Sequence, residues 1–145
     1  MKDINGNIQY KGENYKLVFN LNVMEKVQEE YGSLENWGNL TDGSAYAQKE
    51  YEQSHTTGKF KPWDDLTDEE KAKYQTEPDA KAVIFGFTEM INEGIDIDNE
   101  DNGTDRKPLT LKQVGRLITE IGLANATSTL NETVIASTQS EEKNV

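Results

Sequence analysis

The sequence predicts an α+β fold, mostly α-helical, with an N-terminal β-hairpin and a flexible C-terminal segment. Two observations carry this expectation. Residues 8–20 (IQYKGENYKLVFN) alternate apolar and polar side chains around a cluster of turn formers, which is the period of a half-buried hairpin. Over residues 22–31, 79–93 and 114–121 the apolar positions recur at three and four, the period of helices with one buried face. A hairpin this short has no stability alone and must pack on helices.

Within the hairpin, Ile8, Tyr10, Tyr15, Leu17 and Phe19 are the candidate core positions, and Gly12 and Asn14 are the residues expected to take the positive backbone angles of the loop. The first helix spans Asn22 to Tyr31: Val23, Met24, Val27 and Tyr31 share a face, Asn22 is placed as its cap and Gly32 as its end. A short helix from Leu34 to Trp37 follows. Residues 39–77 turn polar, with scattered Tyr46, Tyr51, Phe60 and Trp63 and no sustained period, so they read as an insertion. Inside it Thr67 and Glu70 have the spacing of a capping box, with Leu66 as staple, which predicts a helix from Asp68 to about Gln75.

Pro78 suits a first turn, and residues 79–93 form the strongest helical pattern, with Ala80, Val83, Ile84, Phe87, Met90 and Ile91 on one face and Gly94 as the expected end. Asp96–Lys107 reads as an acidic loop. A second capping box, Thr110 with Gln113, opens a helix whose stripe of Val114, Leu117, Ile118 and Ile121 stops at Gly122. Residues 123–138 carry Leu123, Ala126, Leu130 and Val134 on one face, amid Asn, Ser and Thr, all weak helix formers, so a marginal helix is expected. The organisation is one domain over 1–138, with the hairpin at 8–20, the insertion at 39–77, a helical core at 79–122, and a disordered tail at 139–145.

Composition narrows function. The 145 residues carry 15 Lys and Arg against 27 Asp and Glu, a formal net charge of -12, which repels phosphate backbones and anionic lipid and argues against nucleic-acid or membrane partners. No Cys is present, which excludes disulfides, thiolate nucleophiles and Cys-based zinc sites. Leu, Ile, Val and Phe number 30, so the core is thin and part of the chain is not expected to pack. The start lacks an apolar signal core, which points to the cytoplasm.

Candidate chemistry is sparse. Counting from Asp98, the residues Asp98, Glu100, Asn102 and Gly103 half-match a calcium-binding loop, but Leu109 occupies the position of the bidentate Glu, and a solvated connector is the better reading. His55 lies in a polar stretch with no patterned nucleophile, and Gly58-Lys59 lacks the rest of a phosphate loop. No catalytic, cofactor or metal residue is assigned. Phe85 projects about 150° from the stripe of its own helix, so that helix is either sandwiched between neighbours or presents Phe85 to a partner. Leu123, Leu130, Val134 and Ile135 form an apolar strip with little charge, a second candidate partner surface. Gly115 and Gly122, one heptad apart, read either as a site of close backbone approach or as an incidental glycine and a helix end.

The succession YKLVFNLNVMEKVQEEYGSLENW, a helix ending INEGIDI, then PLTLKQVGRLI resembles the tail assembly chaperones of long-tailed phages and prophages of Gram-positive bacteria. In that family a Y-x-L-x-F-(N/D)-x-N run, here Tyr15 to Asn22, leads into a helix closing on Tyr-Gly-Ser, here Tyr31 to Ser33. The resemblance covers residues 8–38 and 79–137 and leaves 39–77 unaccounted for. It implies a non-enzymatic protein that needs no cofactor, binds the tape-measure protein, helps recruit tail-tube subunits, with self-association an option, and leaves before the virion is complete. A tail-completion or adaptor protein that stays in the particle, and a calcium-binding module, are the alternatives. The family's longer, frameshifted product implies a slippery run, which Glu142-Lys143-Asn144 can encode as GAA AAA AAC.

Overall fold

The computed structural model describes residues 7–55, 58–74 and 77–143, with side chains described to Ser137. The fold is α+β and mostly helical. Strands β1 (Asn7–Tyr10) and β2 (Glu13–Lys16) pair antiparallel, Ile8 opposite Tyr15 and Tyr10 opposite Glu13. That register leaves a two-residue loop, and a loop this tight needs positive φ at both positions: Lys11 (φ 51°) and Gly12 (φ 79°) supply them. Asn14, expected in the loop, is therefore a strand residue. The alternation holds beyond the strand, for Tyr15, Leu17 and Phe19 are all buried.

Helix α1 (Leu21–Tyr31) buries Val23 and Val27. Its cap is Asn20, whose side chain accepts the Val23 N–H at 3.2 Å; Asn22, the expected cap, lies inside the first turn. Both asparagines donate to one carboxylate oxygen of Glu93, at 2.7 and 2.8 Å. Helix α2 (Leu34–Thr41) runs a turn longer than expected, capped by Ser33, and sinks Trp37 into the core. The insertion contains α3 (Ser44–Ser54), a 3₁₀ turn (Trp63–Asp65) and α4 (Asp68–Ala72), the last with the expected capping box of Thr67 and Glu70.

Helix α5 (Ala80–Asn102) is the axis of the molecule, touched by β2, α1, α2, α6 (Leu111–Ile121) and α7 (Leu123–Lys143). It buries Val83, Phe87, Met90 and Ile91 as expected, and Ala82, Thr88 and Ile95 besides, whereas Ala80 is exposed. Gly94 does not end it. A Cβ there would fall closer than 3.0 Å to the Lys16 carbonyl oxygen, so Gly94 is the notch through which the chain after β2 reaches α5, where the Val18 N–H meets the Met90 carbonyl at 3.2 Å.

The expected acidic loop is consequently helical as far as Asn102 and ends at Gly103 (φ 67°). The connector that follows is pinned to α5 by two asparagines. Asn92 donates to the Leu109 carbonyl and accepts its N–H (2.9 and 2.8 Å), and Asn99 does the same for Arg106 (2.9 and 3.0 Å). The repeat matches because two helical turns rise about 10.5 Å while three extended residues span about 10 Å.

Helix α6 follows its sequence reading, with the Thr110–Gln113 capping box, buried Val114, Leu117 and Ile118, and a stop at Gly122 (φ 94°). Helix α7 is longer than expected, its backbone helical through Lys143 and so into the stretch read as a disordered tail. Thr127, Thr129 and Thr133 donate to the carbonyls of Leu123, Asn125 and Thr129, which satisfies their hydroxyls within the helix. Residue 144, needed for the proposed slippery triplet, lies outside the described residues.

Candidate interaction surface

The structure separates the five residues read as partner contacts. Phe85 is half-buried and meets the Tyr31 ring edge-on at 5.4 Å, so α5 is sandwiched and its second aromatic face is covered by α1. Leu130 is fully buried in the main core, and Leu123 and Val134 are half-buried against it. Only Ile135, 55 % exposed, points outward. The low charge of the strip reflects burial of its inner face, and Ser137 fastens the far end by donating to the Phe19 carbonyl at 2.9 Å.

What lies open is a groove of about 560 Å³ between β1 and the α6–α7 corner. Ile8 and Tyr10 line the hairpin wall, Ile121, Asn125 and Thr129 the helical wall, with Lys11 and Glu120 at the rim. Ile8 is fully buried and Tyr10 and Ile121 are partly covered, so the groove is mixed in character, apolar below and polar above. Tyr10 and Ile121 were legible as apolar positions of their elements. Their meeting was not, since it depends on how the hairpin packs on the helices.

The other candidates hold no reactive arrangement. Asp98, Glu100 and Asn102 lie on a helix, where the backbone cannot wrap an ion, and the Asn102 amide donates to Asp98 at 2.5 Å. Among the described residues no three His, Asp or Glu are grouped to hold a metal ion. His55 stacks on Tyr51 with ring centroids 4.3 Å apart, and its Nδ1 sits 2.9 Å from the Tyr51 carbonyl oxygen. Gly115 is not a close approach: a Cβ there would make ordinary contact with Ile84 at 3.7 Å. The close backbone approach is at Gly94, against Lys16, while Gly86 makes room for the Trp37 and Leu130 side chains, and no local pattern marks Gly86. Among the described residues no helix is long and apolar enough to cross a membrane.

No family model, curated protein or solved structure matches the chain.

Proposed function

We propose that this chain is a non-enzymatic tail assembly chaperone of a long-tailed phage or prophage. It binds the tape-measure protein and helps recruit tail-tube subunits in the host bacterial cytoplasm, and it is absent from the finished virion. The observation that carries the reading is the succession from Tyr15 to Ser33, followed by the two later helical runs, in the order of that family. Supporting it, the acidic surface keeps many copies apart in solution while they coat one long partner. The groove beside β1 offers an apolar floor and polar rim of the kind that protein segments occupy.

Co-expression with the tape-measure protein of the phage or prophage that carries this gene tests the proposal. The chaperone is expected to keep that protein soluble and to co-purify with it. Ser128→Arg, on the exposed rim of the groove, and Ile135→Asp, on the outer face of α7, are expected to weaken capture while leaving the circular dichroism spectrum unchanged. Failure of the wild-type chain to capture the tape-measure protein refutes the reading, and capture unaffected by both variants moves the interface elsewhere. Mass spectrometry of purified virions separates it from the adaptor alternative, which requires the protein to remain in the particle.

A further inference from the structure

The chain leaves the body of the protein after Leu40 and returns at Asp79, and those two residues are joined by an N–H to carbonyl bond of 2.9 Å. The described residues between them form an excursion closed at its base. Its first turn pivots on Gly43 (φ 82°), with the Ser44 N–H donating to Asp42 at 2.8 Å. The excursion has its own apolar cluster, Ala47, Tyr51, Trp63 and Leu66 with Tyr74 against them, which shares no residue with the main core.

Tyr51 is the hub of that cluster. Its ring lies 5.7 Å from Trp63, 5.2 Å from Tyr74 and 6.1 Å from Phe60, and its hydroxyl donates to the Lys61 carbonyl at 2.6 Å. Among the described residues four buried ones hold this unit, whereas eighteen hold the body. The Tyr31 hydroxyl, at the end of α1, is buried without a hydrogen-bond partner among the described residues.

We infer that the excursion, described over residues 43–55 and 58–74, is a second cooperative unit that opens while the body stays folded. Separate clusters joined through one helix are how sub-global unfolding units arise. Opening uncovers the Tyr51, Trp63 and Tyr74 rings beside α2, so the protein carries a concealed aromatic surface under its own conformational control. This inference is independent of the functional proposal.

Native-state hydrogen exchange of the full chain under increasing urea tests it. Amides of α3 are expected to exchange at least about 10-fold faster than those of Val83–Ile91 and Val114–Ile118, with a shallower urea dependence because less surface opens. Tyr51→Ala is expected to speed exchange in α3 about 10-fold further while changing the body amides less than about 2-fold. Equal protection and equal urea slopes in both regions overturn the inference. So does a Tyr51→Ala variant that lowers protection of the body as much as that of α3.

Discussion

Two helix glycines should respond to the same substitution with opposite sign. At Gly86, in the middle of α5, an added Cβ lies closer than 3.0 Å to Trp37 Cζ2, 3.1 Å from Trp37 Cε2 and 3.2 Å from Leu130 Cδ1. Neither neighbour has room to yield. Trp37 is 2 % exposed, stacks on Phe19 at 6.4 Å and donates its indole N–H to the Ala82 carbonyl at 3.1 Å, and Leu130 is fully buried.

Overpacking a tight core costs about 1–3 kcal/mol. Pulling the indole off its acceptor leaves a buried donor unpaired, for about 1–3 kcal/mol more. Against this, Ala gains about 1 kcal/mol over Gly in a helix interior. Gly86→Ala should therefore destabilise by about 3 kcal/mol. Gly115→Ala meets only an ordinary contact, Ile84 at 3.7 Å, and should keep most of the helical gain, about 0.5–1 kcal/mol.

Thermal unfolding followed by circular dichroism reads the difference. At about 3 °C per kcal/mol, Gly86→Ala loses about 9 °C and Gly115→Ala gains about 2 °C. A red shift of Trp37 emission in Gly86→Ala would locate the damage; Trp63→Phe in both backgrounds removes the second emitter. A Gly86→Ala protein as stable as wild type refutes the packing argument, as does a Gly115→Ala protein that falls equally.

Asn92→Ala and Asn99→Ala each remove a two-bond clamp on the connector before α6, and each should cost about 1–2 kcal/mol. Because the clamps are two helical turns apart, a urea-denaturation double-mutant cycle should find the costs additive within about 0.5 kcal/mol. Leu130→Ala should destabilise by about 2–5 kcal/mol while Ile135→Asp stays near neutral, measured by the same denaturation, because one is core and the other surface. The Glu89 carboxyl is pushed above its ordinary 4.5 by burial, with Lys26 opposing and Glu93 adding to the shift. The folded state thus keeps a proton that the unfolded chain has lost, so ionisation of Glu89 weakens the fold as pH rises above 4.5. Glu89→Gln should raise the melting temperature at neutral pH, and its advantage should vanish below about pH 4.

Elements that rest on local rules were legible in the sequence. The hairpin alternation, the α1 stripe, the Thr67 and Thr110 capping boxes and the helix ends at Gly32 and Gly122 are all settled within a few residues of themselves. Misreadings arose where a distant segment decides the outcome. Gly94 looks like a helix stop, yet it is there for Lys16, 78 positions away. Once Gly94 is a notch, the polar Asp96–Asn102 run is free to continue the helix, because Asn99 has the connector to hold. Helix α3 shows no period because its burial rests on one pair, Ala47 and Tyr51, one turn apart. The α7 face was identified correctly, but whether that face met the core or solvent depended on Gly86 and Trp37, which the sequence of α7 does not contain.

The fixed positions of the Y-x-L-x-F-(N/D)-x-N run, and the Gly32-Ser33 pair that closes the helix after it, have duties inside the fold. Tyr15, Leu17 and Phe19 are core, Asn20 caps α1 and shares Glu93 with Asn22, Gly32 takes φ 86°, and Ser33 caps α2. A run of residues constrained this way specifies an architecture: a hairpin, a capped helix and a clamp onto a central helix. On the proposed reading, function lies in what the run does not constrain, the exposed rim of the groove and the outer face of α7, where a substitution leaves the scaffold standing. This gives the proposals a separable test. Asn20→Ala and Asn22→Ala should lower stability together with any partner binding, while Ser128→Arg and Ile135→Asp should affect binding alone. If the asparagine variants abolish capture of the tape-measure protein without loss of stability, the run itself is the contact surface, and the division between scaffold and interface drawn from the structure fails.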